Sequence, residues 1–346
     1  MSKSFNTTGV CIPEKHYMVN LDERLKEIKK LVDDDCYFVI NRARQYGKTT
    51  TLRALYRYLK NDYYVVLMDF QAFGNADFDS EYSFSTAFAH TFSEILEYNN
   101  LQRTESLEES LSSLNRENQK LTLRILFKNL RNICRESAKP IVLMIDEVDS
   151  ASENKVFVDF LAQLRSMYLA RDMQPAFKSV ILAGVYDVKN LKLKLRSGEE
   201  HKYNSPWNIA ADFNIDMSFS KIEITKMLKE YEADHNTGMD VEGMASLIED
   251  YTSGYPFLVS RLCQLLDRKC EVKTTDQEYK EVWSREGFND AVRSMLTEKN
   301  TLFESLSEKL VSYPELNSMF QSILFNGQVI TYNYYEPSIN IATMFG

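Results

Sequence analysis

The sequence predicts an α/β protein: a parallel sheet with helices on both faces, then an all-α region and a further small C-terminal domain. Two observations carry this. Four short, almost wholly apolar runs alternate with long helical patterns, as expected for strands buried on both faces. The first run ends in a polar loop closing on Gly47-Lys48-Thr49, and the third ends in two carboxylates, Asp146 and Glu147.

Residues 1–20 read as irregular, with Gly9, Pro13 and the cluster Glu14-Lys15-His16-Tyr17. His16 and Tyr17 either lie beside a bound base or simply pack. Residues 22–32 read as an amphipathic helix, with Leu21, Leu25, Ile28, Leu31 and Val32 on one face. The run 37–40 reads as a buried strand, and Asn41 to Tyr46 is too polar to continue it. Gly47-Lys48-Thr49-Thr50 then opens a helix that places Leu52, Leu55, Tyr56 and Leu59 inward. A loop ending at a helix N-terminus cradles phosphate, because the unpaired N–H groups and the helix dipole both favour an anion. In the pattern G-x-x-x-x-G-K-[ST], the lysine, here Lys48, reaches the β- and γ-phosphates, and the hydroxyl, here Thr49, ligates Mg²⁺. The sequence departs from that pattern at Arg42, where the first glycine is expected.

A second buried strand is expected over 63–70 and a long helix over 83–99. Residues 100–120 are rich in Glu, Ser, Asn and Gln, and read as a mobile surface segment without an apolar stripe. An amphipathic helix over 121–135 leads into Lys139-Pro-Ile-Val-Leu-Met-Ile-Asp-Glu-Val-Asp149. Asp146, at the end of that strand, stands where a Walker B carboxylate holds Mg²⁺, and Glu147 is placed to polarise an attacking water. Asp149 is placed to assist or replace it. A helix over 155–170 and a strand over 177–186 complete the alternation. Tyr186 and Asp187 are the candidates for a γ-phosphate sensor. The basic stretch 189–196 is either a solvated helix end or a phosphate-contacting loop in which Arg196 acts as sensor or finger. Arg165 and Arg171 are weaker candidates of the same kind.

Residues 197–211, with Pro206 and Trp207, read as loop. A helix over 219–234 is opened by a Ser220/Glu223 capping box, and another is expected over 239–248. Gly254-Tyr255-Pro256 is a turn entering a third helix, with Pro256 in its first turn and its N-terminus towards the nucleotide side. Arg261 lies one turn further on, within potential reach of phosphate. In the tail, helices over 302–310 and 316–325, a strand over 327–333 and a helix over 337–344 match the front of a winged helix. The wing itself would fall past Gly346, so either the domain is truncated here or the final fold is something other than a winged helix.

Composition bounds the reading. The chain has 346 residues, 44% of them hydrophobic and 26% charged, as in an ordinary globular protein. A net charge of −9 argues against a general nucleic-acid coat or a membrane-surface protein, though not against a local basic patch. The five cysteines are scattered without a C-x-x-C, so neither a zinc site nor a disulfide framework is expected, and reduced thiols in a cytoplasmic protein are the simplest reading. No apolar run approaches membrane-spanning length and the N-terminus is no signal peptide.

Asn41-Arg-Ala-Arg-Gln-Tyr-Gly-Lys-Thr-Thr50, Ile145-Asp-Glu-Val-Asp149, Gly254-Tyr-Pro-Phe257 and the opening Phe5 to Val19 resemble the bacterial AAA-like ATPases. These are similar in turn to the STAND and archaeal ATPase groups of the AAA+ superfamily. The resemblance spans essentially the whole chain. It implies a P-loop NTPase core over 1–214, an all-α lid over 215–272 and a winged-helix-like domain over 273–346. It also implies ATP or ADP with Mg²⁺ as cofactors. On this reading Arg42, Ala43, Arg44, Gln45, Tyr46, Gly47, Lys48, Thr49, Thr50 and Pro256 bind the nucleotide, Thr49 and Asp146 hold the metal, and Glu147 and Lys48 are catalytic.

The leading function is therefore ATP hydrolysis coupled to movement of the lid and winged helix. A slow nucleotide-dependent switch is the alternative of a different class. A nucleic-acid module using the winged helix is weakened by the acidic balance, and a kinase by the lack of an acceptor pocket. Expected partners are ATP and a protein partner or second copy, with nucleic acid a weaker reading and no membrane.

Overall fold

The computed structural model describes residues 3–99, 102, 104–114, 121–185, 207–270, 275–333 and 336–345. They form two units: Leu25–Arg42 with Thr51–Ile215, and Met1–Arg24 with Ala43–Thr50 and Asp216–Gly346.

The first unit is built on the sheet. In chain order its elements are α1 (Asp22–Asp33), β1 (Tyr37–Asn41), α2 (Lys48–Leu59), β2 (Tyr64–Asp69), α3 (Glu81–Tyr98), α4 (Glu105–Leu114), α5 (Leu123–Glu136), β3 (Ile141–Asp146), α6 (Lys155–Leu169) and β4 (Ser179–Gly184). The opening residues of α1 and α2 belong to the second unit. The four strands are parallel, in the order β1-β4-β3-β2. Every residue of β3 and β4 is buried, which is why their sequences are continuous apolar runs rather than alternating ones. The register sets Asn41 beside Gly184 and Asp69 beside Asp146, so the C-terminal ends of all four strands share one edge. The outer side of β1 is covered by the segment after Trp207, where the Ala211 amide donates to the Tyr37 carbonyl at 2.8 Å. That protects an otherwise open sheet edge. A phenylalanine-rich core fills one face, with Phe160 5.3 Å from Phe84 and 5.0 Å from Phe88 between ring centroids.

The segment expected to be mobile over 100–120 holds a helix instead. Leu107, Leu111 and Leu114 of α4 are buried in the core. Their spacing of four and three residues puts them on one helical face, and the polar residues between them occupy the other.

The second unit is helical: α7 (Lys221–His235), α8 (Val241–Thr252), α9 (Pro256–Cys270), α10 (Asp276–Val282), α11 (Arg285–Thr297), α12 (Thr301–Ser312), α13 (Pro314–Asn326) and α14 (Pro337–Phe345). The Ser220/Glu223 capping box forms, the Ser220 amide donating to Glu223 Oε2 at 2.8 Å and the Glu223 amide to Ser220 Oγ at 3.3 Å. Gly254 has φ +70°, and a Cβ there would run into the Phe219 backbone, so both conformation and space require glycine. Tyr17 is buried among Phe5, Tyr231 and His235, and its hydroxyl donates to Asp234 Oδ2 at 2.7 Å.

The strand expected over 327–333 does not form. Helix α13 ends on Gly327 in the left-handed conformation, where the Gln328 amide donates back to the Ser322 carbonyl at 3.1 Å, and residues 328–333 join no strand ladder. A lone strand has no ladder to complete and is not stable by itself. No helix among the described residues is long and apolar enough to cross a membrane.

Candidate functional site

The loop from β1 into α2 begins at the C-terminal edge of the sheet, where the Arg42 amide donates to the Gly184 carbonyl at 3.2 Å. Open α/β sheets bind ligands outside this edge. Helix α2 starts at Lys48 and has no acidic residue in its first turn, whereas α1 opens on Asp22 and Glu23. The positive end of α2 is therefore uncompensated by carboxylates of its own first turn, which suits an anion. Lys48 is only 6% exposed, and its ammonium donates to the Ala43 carbonyl at 3.0 Å. This folds the loop around its own cation.

Two backbone positions shape the turn. Gly47 has φ +79° and Gln45 has φ +57°. The left-handed region is natural for glycine and costly for glutamine, so Gln45 is held there by the loop around it. The Thr50 hydroxyl accepts the Cys11 amide at 3.2 Å, tying the N-terminal segment to the helix start.

Other parts of the second unit hold the side chains of this loop. The Tyr255 hydroxyl donates to the Arg44 carbonyl, and its ring meets Tyr46 edge-on at 4.7 Å. Burial raises the pKa of that hydroxyl, with Tyr46 adding to the effect, so it remains a donor. Ala43, Tyr255 and Leu302 form a small core with Tyr46, Phe257, Leu258 and Leu306 packed on it. Sequence reasoning missed Tyr255 and Leu302. Tyr255 stood between the two conspicuous residues of the Gly-x-Pro turn, and it, rather than its neighbour Pro256, hydrogen-bonds the loop.

Arg42, which replaces the first glycine, turns its guanidinium elsewhere. It donates to the carbonyls of Asn41 and Ile215, each at 2.9 Å, and lies over the Phe213 ring. Arg261 pairs with Glu298 through Nε at 3.1 Å and Nη2. Arg171 stacks on Tyr168, and Arg165 lies on α6 with its Nε buried and unbonded among the described residues. Tyr186, Asp187 and residues 189–196 lie outside the described residues.

The carboxylates belong to the sheet unit. Asp146 closes β3, is 4% exposed, and accepts the Glu147 amide on Oδ1 at 3.0 Å. Glu147 has φ +53° and ψ +42°, a left-handed conformation unusual for a glutamate. Such outliers cluster at functional sites. Asp149 accepts the Val185 amide, and Gly184 leaves space for it, since a Cβ there would lie 2.9 Å from Asp149 Oδ1. Asp149 therefore ties the turn after β3 to the end of β4.

A parallel sheet whose first strand opens into a Gly-Lys-Thr helix start, with a third strand ending in Asp-Glu, defines a P-loop NTPase-like protein of the α/β class. The model of the AAA-like domain matches residues 14–336, and the chain belongs to that family. No curated protein matches it. Among solved structures, Cdc6p from Pyrobaculum aerophilum is similar at TM-score 0.46 and 14% identity, over 97% of this chain and 82% of that one. The Orc2 protein of Aeropyrum pernix, determined as ADPNP-ADP complexes, gives 0.44 and 12%, over 98% and 87%. The Orc1 protein of the same organism, determined in complex with DNA, gives 0.44 and 11%, over 90% and 73%.

Proposed function

We propose that this protein binds ATP with Mg²⁺ on the 43–50 loop and hydrolyses it. The observation that carries the reading is the start of α2: a buried Lys48 at a helix N-terminus with no acid in its first turn. These residues suit a triphosphate. The backbone of Ala43, Arg44, Gln45, Tyr46 and Gly47, with Thr50, would hold it, together with the first residue Arg42 and the turn at Pro256. Lys48 supplies the cation. The Thr49 hydroxyl and Asp146 would hold Mg²⁺, which takes one or two protein oxygens alongside phosphate. Bound Mg²⁺ neutralises charge on the phosphates. Glu147 orients a water and accepts its proton, and its left-handed backbone sets the direction of that carboxylate.

Contacts of the loop favour a second role in the same molecule. Gln45, Tyr46 and Ala43 touch Thr301, Tyr255 and Leu302, so a rearrangement of the loop on binding would be felt by α9 and α12. We therefore propose that nucleotide state moves a lid over 215–272 and the helices after it. Phosphate release by the purified chain with ATP and Mg²⁺, with and without DNA, tests the catalytic reading. Tight ATP binding without turnover would leave the switch, and no binding would end both.

A further inference from the structure

We propose that the groove along α5 is a docking site for the phosphate backbone of nucleic acid. Arg124, Lys128, Arg131 and Arg135 recur along one helical face. Eleven helical steps of about 1.5 Å separate Arg124 from Arg135, so the four cover about 16 Å. They line a groove of about 350 Å³ closed on its far side by Gln174 and Pro175. The opposite face of α5 is fully committed to the core through Leu126, Leu130 and Ile133. The cations are therefore what this helix offers outward.

The groove is partly organised already. Arg131 Nη1 donates to the Pro175 carbonyl at 3.0 Å, which fixes one guanidinium in the wall. Arg135 Nε donates to Glu136 Oε1 at 2.8 Å, so that one cation is shared with a carboxylate. Arg124 and Lys128 are exposed. Asn132 and Gln174 add amides among the cations. Arginine, lysine and side-chain amides are the groups that contact phosphate and sugar oxygens.

A protein partner fits less well. Protein interfaces are anchored on buried aromatic side chains together with arginine, and are depleted in lysine. Phe127, the aromatic residue of this groove, is sealed at 4% exposure and cannot act as an anchor. The net charge of −9 does not oppose a local polyanion contact. At physiological ionic strength charges more than about 8 Å away are largely screened, while the four cations act at contact.

The test is fluorescence anisotropy of the full chain with a labelled mixed-sequence DNA duplex, titrated from about 50 to about 200 mM salt. Four phosphate contacts predict a slope of log affinity against log salt of about −3.6. Arg124→Glu with Lys128→Glu should reduce that magnitude by about 1.8 and weaken binding about tenfold or more. Both positions are exposed, and circular dichroism melting checks that the double variant folds. Lys221→Glu, an exposed cation in the other unit, is the control for charge alone. Absence of duplex binding at about 50 mM salt overturns the proposal. So does equal binding by the double variant, or an equal loss in the Lys221→Glu control. Tighter binding of a polyglutamate peptide, lost in the same double variant, would make the groove an acidic-protein site and also overturn it.

Discussion

The Tyr255 hydroxyl donates to the Arg44 carbonyl, joining the turn before α9 to the loop before α2. One such hydrogen bond contributes about 0.5–1.5 kcal/mol. Tyr255→Phe keeps the ring against Tyr46 and removes only that bond. Hydrogen exchange should then be faster at residues 43–47, and ATP·Mg²⁺ should protect residues 215–270 less than in the wild type. Unchanged exchange in both regions would show that this contact does not link loop and lid.

Lys48→Ala removes the buried cation of the loop. Nucleotide affinity measured by calorimetry should fall by about 10-fold or more, as expected for a lost charge-assisted hydrogen bond of roughly 1.5–3 kcal/mol. Equal affinity would place the phosphates elsewhere.

Glu147→Gln keeps the size of the side chain but cannot accept a proton. ATP should still bind while phosphate release falls by about 100-fold or more. Persistent release would move the base role away from Glu147.

Gln45 stands at φ +57°, where a side chain costs about 1–2 kcal/mol. Gln45→Gly removes that cost and loses only the long 3.5 Å contact to Thr301. Stability in urea should stay level or rise by up to about 1 kcal/mol, and Gln45→Val should lower it. A loss in the glycine variant comparable to that of valine would show that the side chain, not the turn, matters at this position.

Leu107 is fully buried on α4. Leu107→Ala should lower unfolding free energy by about 2–5 kcal/mol. Unchanged denaturant midpoints would mean that α4 does not pack.

The sheet was legible because parallel strands buried on both faces demand long apolar runs, and 141–146 and 179–184 are such runs. The helix start at Lys48 was legible from Gly47, and the start of α7 from Ser220 and Glu223. Helix α4 was not, because three leucines diluted by serine and glutamate make a stripe too sparse to stand out from a solvated segment. The 327–333 segment misled in the opposite way. Val329, Ile330, Thr331 and Tyr332 favour strands, but that preference is realised only against a neighbouring strand. The partners of Arg42 and Tyr17 were also hidden. Ile215 and Asp234 are far away in the chain, and no local pattern encodes such contacts.

The register of β1 has a consequence for the order in which the molecule can assemble. Tyr37 is hydrogen-bonded in the sheet to the strand containing Val180, and β2 and β3 both intervene in the chain. Pairings across long loops form late, because the closure entropy is lost before the contact is gained. During synthesis from the N-terminus, the strand that precedes the Lys48 loop leaves the ribosome early but has no partner until residues 179–184 emerge. The 43–50 loop therefore acquires its supporting strand only when the sheet closes around β4. A nascent chain halted before Ser179 would carry the complete 43–50 loop while β1, the strand that leads into it, still lacked its pairing partner β4.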